Sequence, residues 1–134
     1  MNKFIESDSF KASFEKAIYY SLIHYDNITI AVESLDQANG IISDVIGVDI
    51  VKTLQKKKSI QVQYNECQKN LNLVSLRSKN NNIQNSQIII ASFITFKYLE
   101  NLMCQYPEKN LMYIPWLPEE KEKIKTYKNF SSFT

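Results

Sequence analysis

Apolar and polar positions along the chain follow two rhythms, unbroken β-branched runs and three- and four-residue helical spacings. The run Ile28-Thr29-Ile30-Ala31-Val32 stops at Glu33-Ser34, and from Leu35 to Ile46 apolar residues recur at helical spacing. The run Ile88-Ile89-Ile90-Ala91 stops at Ser92, and Phe93 to Cys104 repeats the helical pattern. Continuous apolar runs suit strands covered on both faces, as in a parallel sheet between helices. In such sheets ligands gather at the carboxyl ends of the strands.

The remaining elements follow from the same spacings. Ser7 or Ser9 can cap a first helix running to about His24, with Phe10, Phe14, Ala17, Ile18 and Leu22 on one face. Asp26-Asn27 is a turn pair ahead of the first strand. Ser34 and Gln37 form an S-x-x-Q capping box for the next helix, and Asp36 suits the positive end of its dipole. Gly47 is placed to end that helix in a left-handed conformation, and Val48 to Gln55 predicts a further short helical stretch. Ser59 to Tyr64 alternates apolar and polar residues, which predicts a half-exposed strand near an edge, and Leu71 to Leu76 predicts another. Ser78 to Asn85 is polar and expected to be a loop. Phe96, Leu99, Leu102 and Met103 share a face of the helix that Tyr106-Pro107 closes, and Leu111 to Ile114 is the last strand. Pro118 opens a final helix whose acids precede its lysines, and the tail from Asn129 is expected to fray.

These elements add up to one three-layer α/β domain over residues 1–134, a mostly parallel sheet of about five strands flanked by helices. The short link Asn65 to Asn70 favours antiparallel pairing of strands 59–64 and 71–76, which would make the sheet mixed. The alternative is an α+β fold in which that hairpin packs against the helices.

Composition removes several kinds of chemistry. Glycine occurs only twice in 134 residues, as Gly40 and Gly47. Phosphate-cradling loops need glycine for close backbone approach, and no G-x-G-x-x-G, G-x-x-x-x-G-K-[ST] or G-x-S-x-G is present. No cofactor is therefore expected. Cys67 and Cys104 are far apart and lack the neighbours of a metal knuckle, so they read as two reduced thiols and no metal is expected. No apolar run approaches the ~20 residues that span a bilayer. The opening Met1 to Asp8 has no apolar core and carries acids early, which predicts a cytoplasmic protein without membrane contact.

Charge is segregated although the net value is only +2. Residues 1–51 carry −5, residues 52–79 carry +6 and residues 80–134 carry +1. Lys56, Lys57 and Lys58, with Arg77 and Lys79, form the candidate surface for an acidic partner or for phosphates. No aromatic adjoins the lysine cluster, unlike the stacking platforms of single-strand binders. A solvated turn between helix and edge strand gives the same pattern.

If the three apolar strands are parallel neighbours, Glu33, Ser34, Ser92, Thr95 and Trp116 meet at their carboxyl ends. A carboxylate, hydroxyls and an indole suit a small polar ligand or a flipped base. Helix caps use the same residue types, so Ser34 and either Ser92 or Thr95 are more simply expected as caps, with Trp116 packed against the Pro-rich turn. Glu33 has no capping duty by position and is the candidate catalytic group to inspect first. His24, the single histidine, ends the first helix, where a positive charge interacts favourably with the last carbonyls. Eight tyrosines and seven phenylalanines are many for the length, and most are expected to fill the core.

Three functions remain from these residues. The first is a small non-catalytic binding protein, of adaptor, inhibitor or immunity type, acting through a protein surface. The second is a nucleic-acid-associated protein using segment 52–79. The third is a hydrolase or transferase built around Glu33.

Overall fold

The described residues are 1–78, 83–127 and 129–133 of a computed structural model. Their strands are β1 (Asn2–Phe4), β2 (Asn27–Val32), β3 (Ser59–Tyr64), β4 (Cys67–Ser75), β5 (Ile88–Ser92), β6 (Asn110–Ile114) and β7 (Ser131–Ser132). Their helices are α1 (Phe10–His24), α2 (Ile41–Ile46), α3 (Val48–Lys57), α4 (Phe96–Gln105) and α5 (Pro118–Ile124). The strands form one mixed sheet in the order β3-β4-β2-β5-β6-β1-β7, parallel throughout except for the antiparallel edge pair β3–β4.

The apolar runs lie at the centre, as their patterning requires. Ile28, Ile30 and Val32 of β2, with Ile88 and Ile90 of β5, enter a core built with Phe14 and Ile18 of α1 and Val51 and Leu54 of α3. Ala31, Ile89 and Ala91 alternate onto the opposite face, with Leu99 and Leu102 of α4 and Ile124 of α5. Both faces of the central strands are thus dry, and the domain is a three-layer α/β structure. Each of the larger side chains among them, the isoleucines, leucines, valines and Phe14, contributes roughly 1.5–3 kcal/mol on full burial.

Five local features differ from the sequence expectation. The sheet has seven strands among the described residues because β1 and β7 join it with almost no apolar pattern. Instead of fraying, the tail is held by the β1–β7 pairing, by the Phe133 N–H donating to Phe4 O at 2.9 Å, and by the buried Phe130 ring. The stretch 35–46 is split into a 3-10 turn, Leu35–Asn39, and α2. There the Ser43 hydroxyl takes the Asn39 carbonyl at 2.8 Å and the Gln55 amide takes the Leu35 carbonyl at 2.9 Å, acceptors a continuous helix would use itself. Gly47 does have positive φ (104°), but its ψ of 142° is extended, so it turns the chain directly into α3. Finally, β4 begins at Cys67, because Asn65 and Glu66 (φ 51° and 68°) close a two-residue hairpin.

Candidate functional site

The carboxyl ends of the parallel strands lie together along one rim of the sheet. Beyond β2 the chain passes to the face carrying α2 and α3 and on to β4. Beyond β5 it passes to the opposite face, through α4, and on to β6. The rim between β2 and β5 is therefore the switch point at which doubly wound sheets open a crevice.

Glu33 and Thr95 meet across that point. Glu33 Oε1 accepts the Thr95 backbone N–H at 2.9 Å, and Glu33 Oε2 lies 3.9 Å from Arg77 Nη2 at the end of β4. The carboxylate side chain is 13% exposed, while Arg77 is 64% exposed. The backbone of Glu33 is held as firmly. Its N–H donates to Gln37 Oε1 at 2.7 Å, and its carbonyl accepts the Ser75 hydroxyl at 2.8 Å. Thr95 is the residue preceding α4, so the carboxylate acts on the helix entry as a capping-box acid does, but from a neighbouring strand. The expectation that Glu33 has no capping duty is overturned.

The other candidates divide. Ser92 is fully buried and its hydroxyl donates to Ile90 O at 3.1 Å, a local bond that leaves the helix entry alone. Thr95 holds the cap position but its hydroxyl makes no cap bond. Ser34 caps the 3-10 turn beside Gln37, whose Oε1 lies 3.3 Å from Ser34 N and accepts the Glu33 N–H as well. Replacing Gln37 by alanine therefore frees two backbone donors near the rim and is expected to cost about 1 kcal/mol, more than Ser34→Ala. Paired urea melts of the two variants measure this, and the reverse order would show that the serine carries the cap.

Trp116 stands apart from Glu33 in an aromatic group. Its ring stacks on Phe10 at 4.7 Å and 25°, and meets Phe93 edge-on at 5.3 Å and 74°. Lys121 Nζ lies 5.3 Å from the Phe10 ring centre. Trp116 remains 44% and Leu117 43% exposed. Phe93 has φ of 59°, an uncommon conformation for an aromatic residue, directly after β5. Beside this group lies a cleft of about 410 Å³ whose lining includes Glu6, Ser7, Asp8, Ser13 and Lys121. The Ser7 and Ser13 hydroxyls are 2.9 Å apart. Nearby, Tyr113 is buried and donates to Ile94 O at 3.1 Å. Burial above all, then the Glu120 and Glu33 carboxylates, raises its pKa far above the ordinary tyrosine value.

Residue-pattern reading missed Phe10, Phe93, Gln37 and Tyr113 as rim residues. Phe10 carried a signal, an aromatic at the first helical position, but its spacing assigned it to the core. Of the eight tyrosines, Tyr113 is buried, and Tyr20, Tyr25, Tyr64, Tyr98, Tyr106 and Tyr127 are partly buried against the two cores. His24 lies at the far end of α1, away from the rim, with its ring 4.3 Å from that of Tyr20. Both cysteines are free and exposed, and no group of three His, Cys, Asp or Glu among the described residues could hold a metal. Among those residues no helix is long and apolar enough to cross a membrane.

The basic candidates are dispersed. Lys56 and Lys57 end α3, and Lys58 follows in a left-handed conformation with its ammonium on Gln55 O at 2.6 Å. Arg77 belongs to the rim beside Glu33, and Lys79 falls outside the described residues.

No protein-family model and no curated protein matches the chain. Among solved structures it is similar to the large terminase from the thermophilic bacteriophage D6E (crystal form 2), with a TM-score of 0.57 and 8% identity. The match covers 98% of this chain and 39% of that one, so the chain spans well under half of its neighbour's length. At that identity the likeness is one of fold, that of an α/β domain.

Proposed function

We propose that the protein is a small non-catalytic binding protein, of adaptor, inhibitor or immunity type, that works in the cytoplasm through a protein–protein surface. The observation that carries this reading is the engagement of Glu33, whose carboxylate holds the Thr95 N–H and leans on Arg77. A general base must instead be free to take a substrate proton. Ser92 is likewise spent on a backbone carbonyl. What the surface offers outward is Trp116, Leu117 and a lysine turn. Tryptophan is enriched among the anchors of protein interfaces, and segregated charge steers a complementary partner.

The test is capture from native extract with the wild-type chain and with Lys56, Lys57 and Lys58 all reversed to Glu. The expected result is one protein partner whose association slows roughly tenfold or more in the variant and loses salt dependence, at unchanged melting temperature. Binding untouched by the reversal, together with a turnover that Glu33→Gln abolishes, would replace this reading with the enzyme one. The exposed Lys52, Lys56, Lys57 and Lys58 favour a second reading, nucleic-acid association. That reading predicts affinity for DNA or RNA falling steeply with salt in proportion to the phosphates contacted.

A further inference from the structure

The two edges of the sheet are finished differently. β7 ends one side with two residues, whereas β3 ends the other with six, Ser59-Ile60-Gln61-Val62-Gln63-Tyr64. Exposed edges are usually blunted by lysine, proline or a bulge, because their open backbone groups template further pairing. β3 has no charge and no proline, and it pairs with β4 in unbroken register from Ser59↔Asn72 to Tyr64↔Cys67.

The register says which backbone groups are open. The Leu73 N–H donates to Lys58 O at 2.9 Å, which places Lys58 opposite Leu73 at a close-pair position, while the Lys58 N–H stays with its helix on Leu54 O. Antiparallel ladders alternate, so Ile60, Val62 and Tyr64 turn their amides toward β4, and Ser59, Gln61 and Gln63 turn theirs outward. No described strand lies beyond them.

We propose that this edge binds a second copy of the chain, joining two sheets through antiparallel β3–β3 pairing about a two-fold axis at Gln61. That axis satisfies several conditions together. Gln61 faces Gln61 of the other copy and Ser59 faces Gln63, all with outward-turned amides, so each N–H finds a carbonyl. Ile60 falls opposite Val62 on the face where both are half-buried against the α1–α3 core, so the apolar strip continues across the junction. Antiparallel crossing also sets the Lys56-Lys57-Lys58 end of one strand beside the Asn65-Glu66 turn of the other, opposite in charge. A register slipped by one residue, with the axis between Gln61 and Val62, would pair the polar face with the apolar one. The dimer does not depend on the partner proposed above, and its failure leaves that reading standing.

Sedimentation of the full chain is expected to reveal a reversible, concentration-dependent dimer. Gln61→Pro removes an outward N–H, which an edge strand tolerates, together with the exposed side-chain oxygen that accepts from Gln68 Nε2 at 2.9 Å. It should weaken the dimer roughly tenfold or more, with the circular dichroism spectrum and melting temperature retained. A chain that stays monomeric at all concentrations overturns the proposal, as does a dimer unaffected by a folded Gln61→Pro variant. Should that variant misfold, cross-linking decides. With Cys67→Ser and Cys104→Ser in place, Gln61→Cys should oxidise to a covalent dimer, whereas Tyr64→Cys, which the register sets opposite Lys58, should not. Equal cross-linking at both positions, or none at 61, overturns the register. Capture of a foreign strand at β3 without self-association would do the same.

Discussion

Replacing Ile90 by alanine is expected to remove about 2–5 kcal/mol of stability, the range for an isoleucine lost from a rigid core. Ile90 is fully buried in β5, paired on one side with Ile30 and on the other with Met112. All three enter the same core as Phe14 and Ile18, so no solvent-facing side chain can swing in to fill the gap. A small domain holds only about 5–15 kcal/mol in total, so the variant should unfold at a much lower urea concentration. Its m-value should stay at that of the wild type, since the surface exposed on unfolding is the same. Ile60→Ala on the edge strand, where the side chain is half-buried, should cost well under half as much. Equal costs at the two positions would contradict a dry central strand and a half-wet edge.

The contrast between those two isoleucines also explains what the sequence could reveal. β2, β5 and β6 were legible because burial on both faces leaves an unbroken apolar run, and β3 because one-sided burial leaves alternation. Asn2-Lys3-Phe4 and Ser131-Ser132 carry neither pattern. They join the sheet through backbone pairing and the nearby anchors Phe130 and Phe133, which no local periodicity marks. The split at Gly40 was hidden for a related reason. Leu35 to Ile46 has helical spacing, but the Gln55 side chain, arriving from α3, competes for the Leu35 carbonyl. At the rim, chain order and strand ends were enough to gather Glu33, Ser34, Ser92, Thr95 and Trp116. Their actual partners were out of reach, because Glu33 and Thr95 are 62 residues apart and Trp116 rests on a Phe10 that helical spacing assigned to the core. The left-handed turn at Phe93 had no signal at all, since glycine or asparagine is the usual mark of such a position.

Glu33 offers the sharpest separation of structural from catalytic roles, and alanine and glutamine substitutions should behave oppositely to an active-site acid. Glu33→Ala deletes the acceptor of the Thr95 N–H, leaving that donor without its protein partner at the helix entry, and strips Arg77 of its carboxylate. An unsatisfied donor costs about 1–3 kcal/mol, and the low exposure of Glu33 sets this loss toward the middle of that range. The Arg77 contact adds little to it, because the pair is 3.9 Å apart and the arginine is largely in water. Glu33→Gln retains an oxygen where Oε1 sits, so the bond to Thr95 survives and the cost should stay below about 1 kcal/mol. Partner binding, if it runs through the lysine turn and Trp116, should follow neither substitution once each variant is measured below its melting temperature. A general base loses its function in both variants, and most tellingly in the folded, nearly isosteric glutamine one. Equilibrium unfolding of the two variants beside the wild type, with partner affinity measured on the same samples, therefore distinguishes the roles. A glutamine variant as unstable as the alanine one would show that the charge, and not the acceptor, holds the rim together.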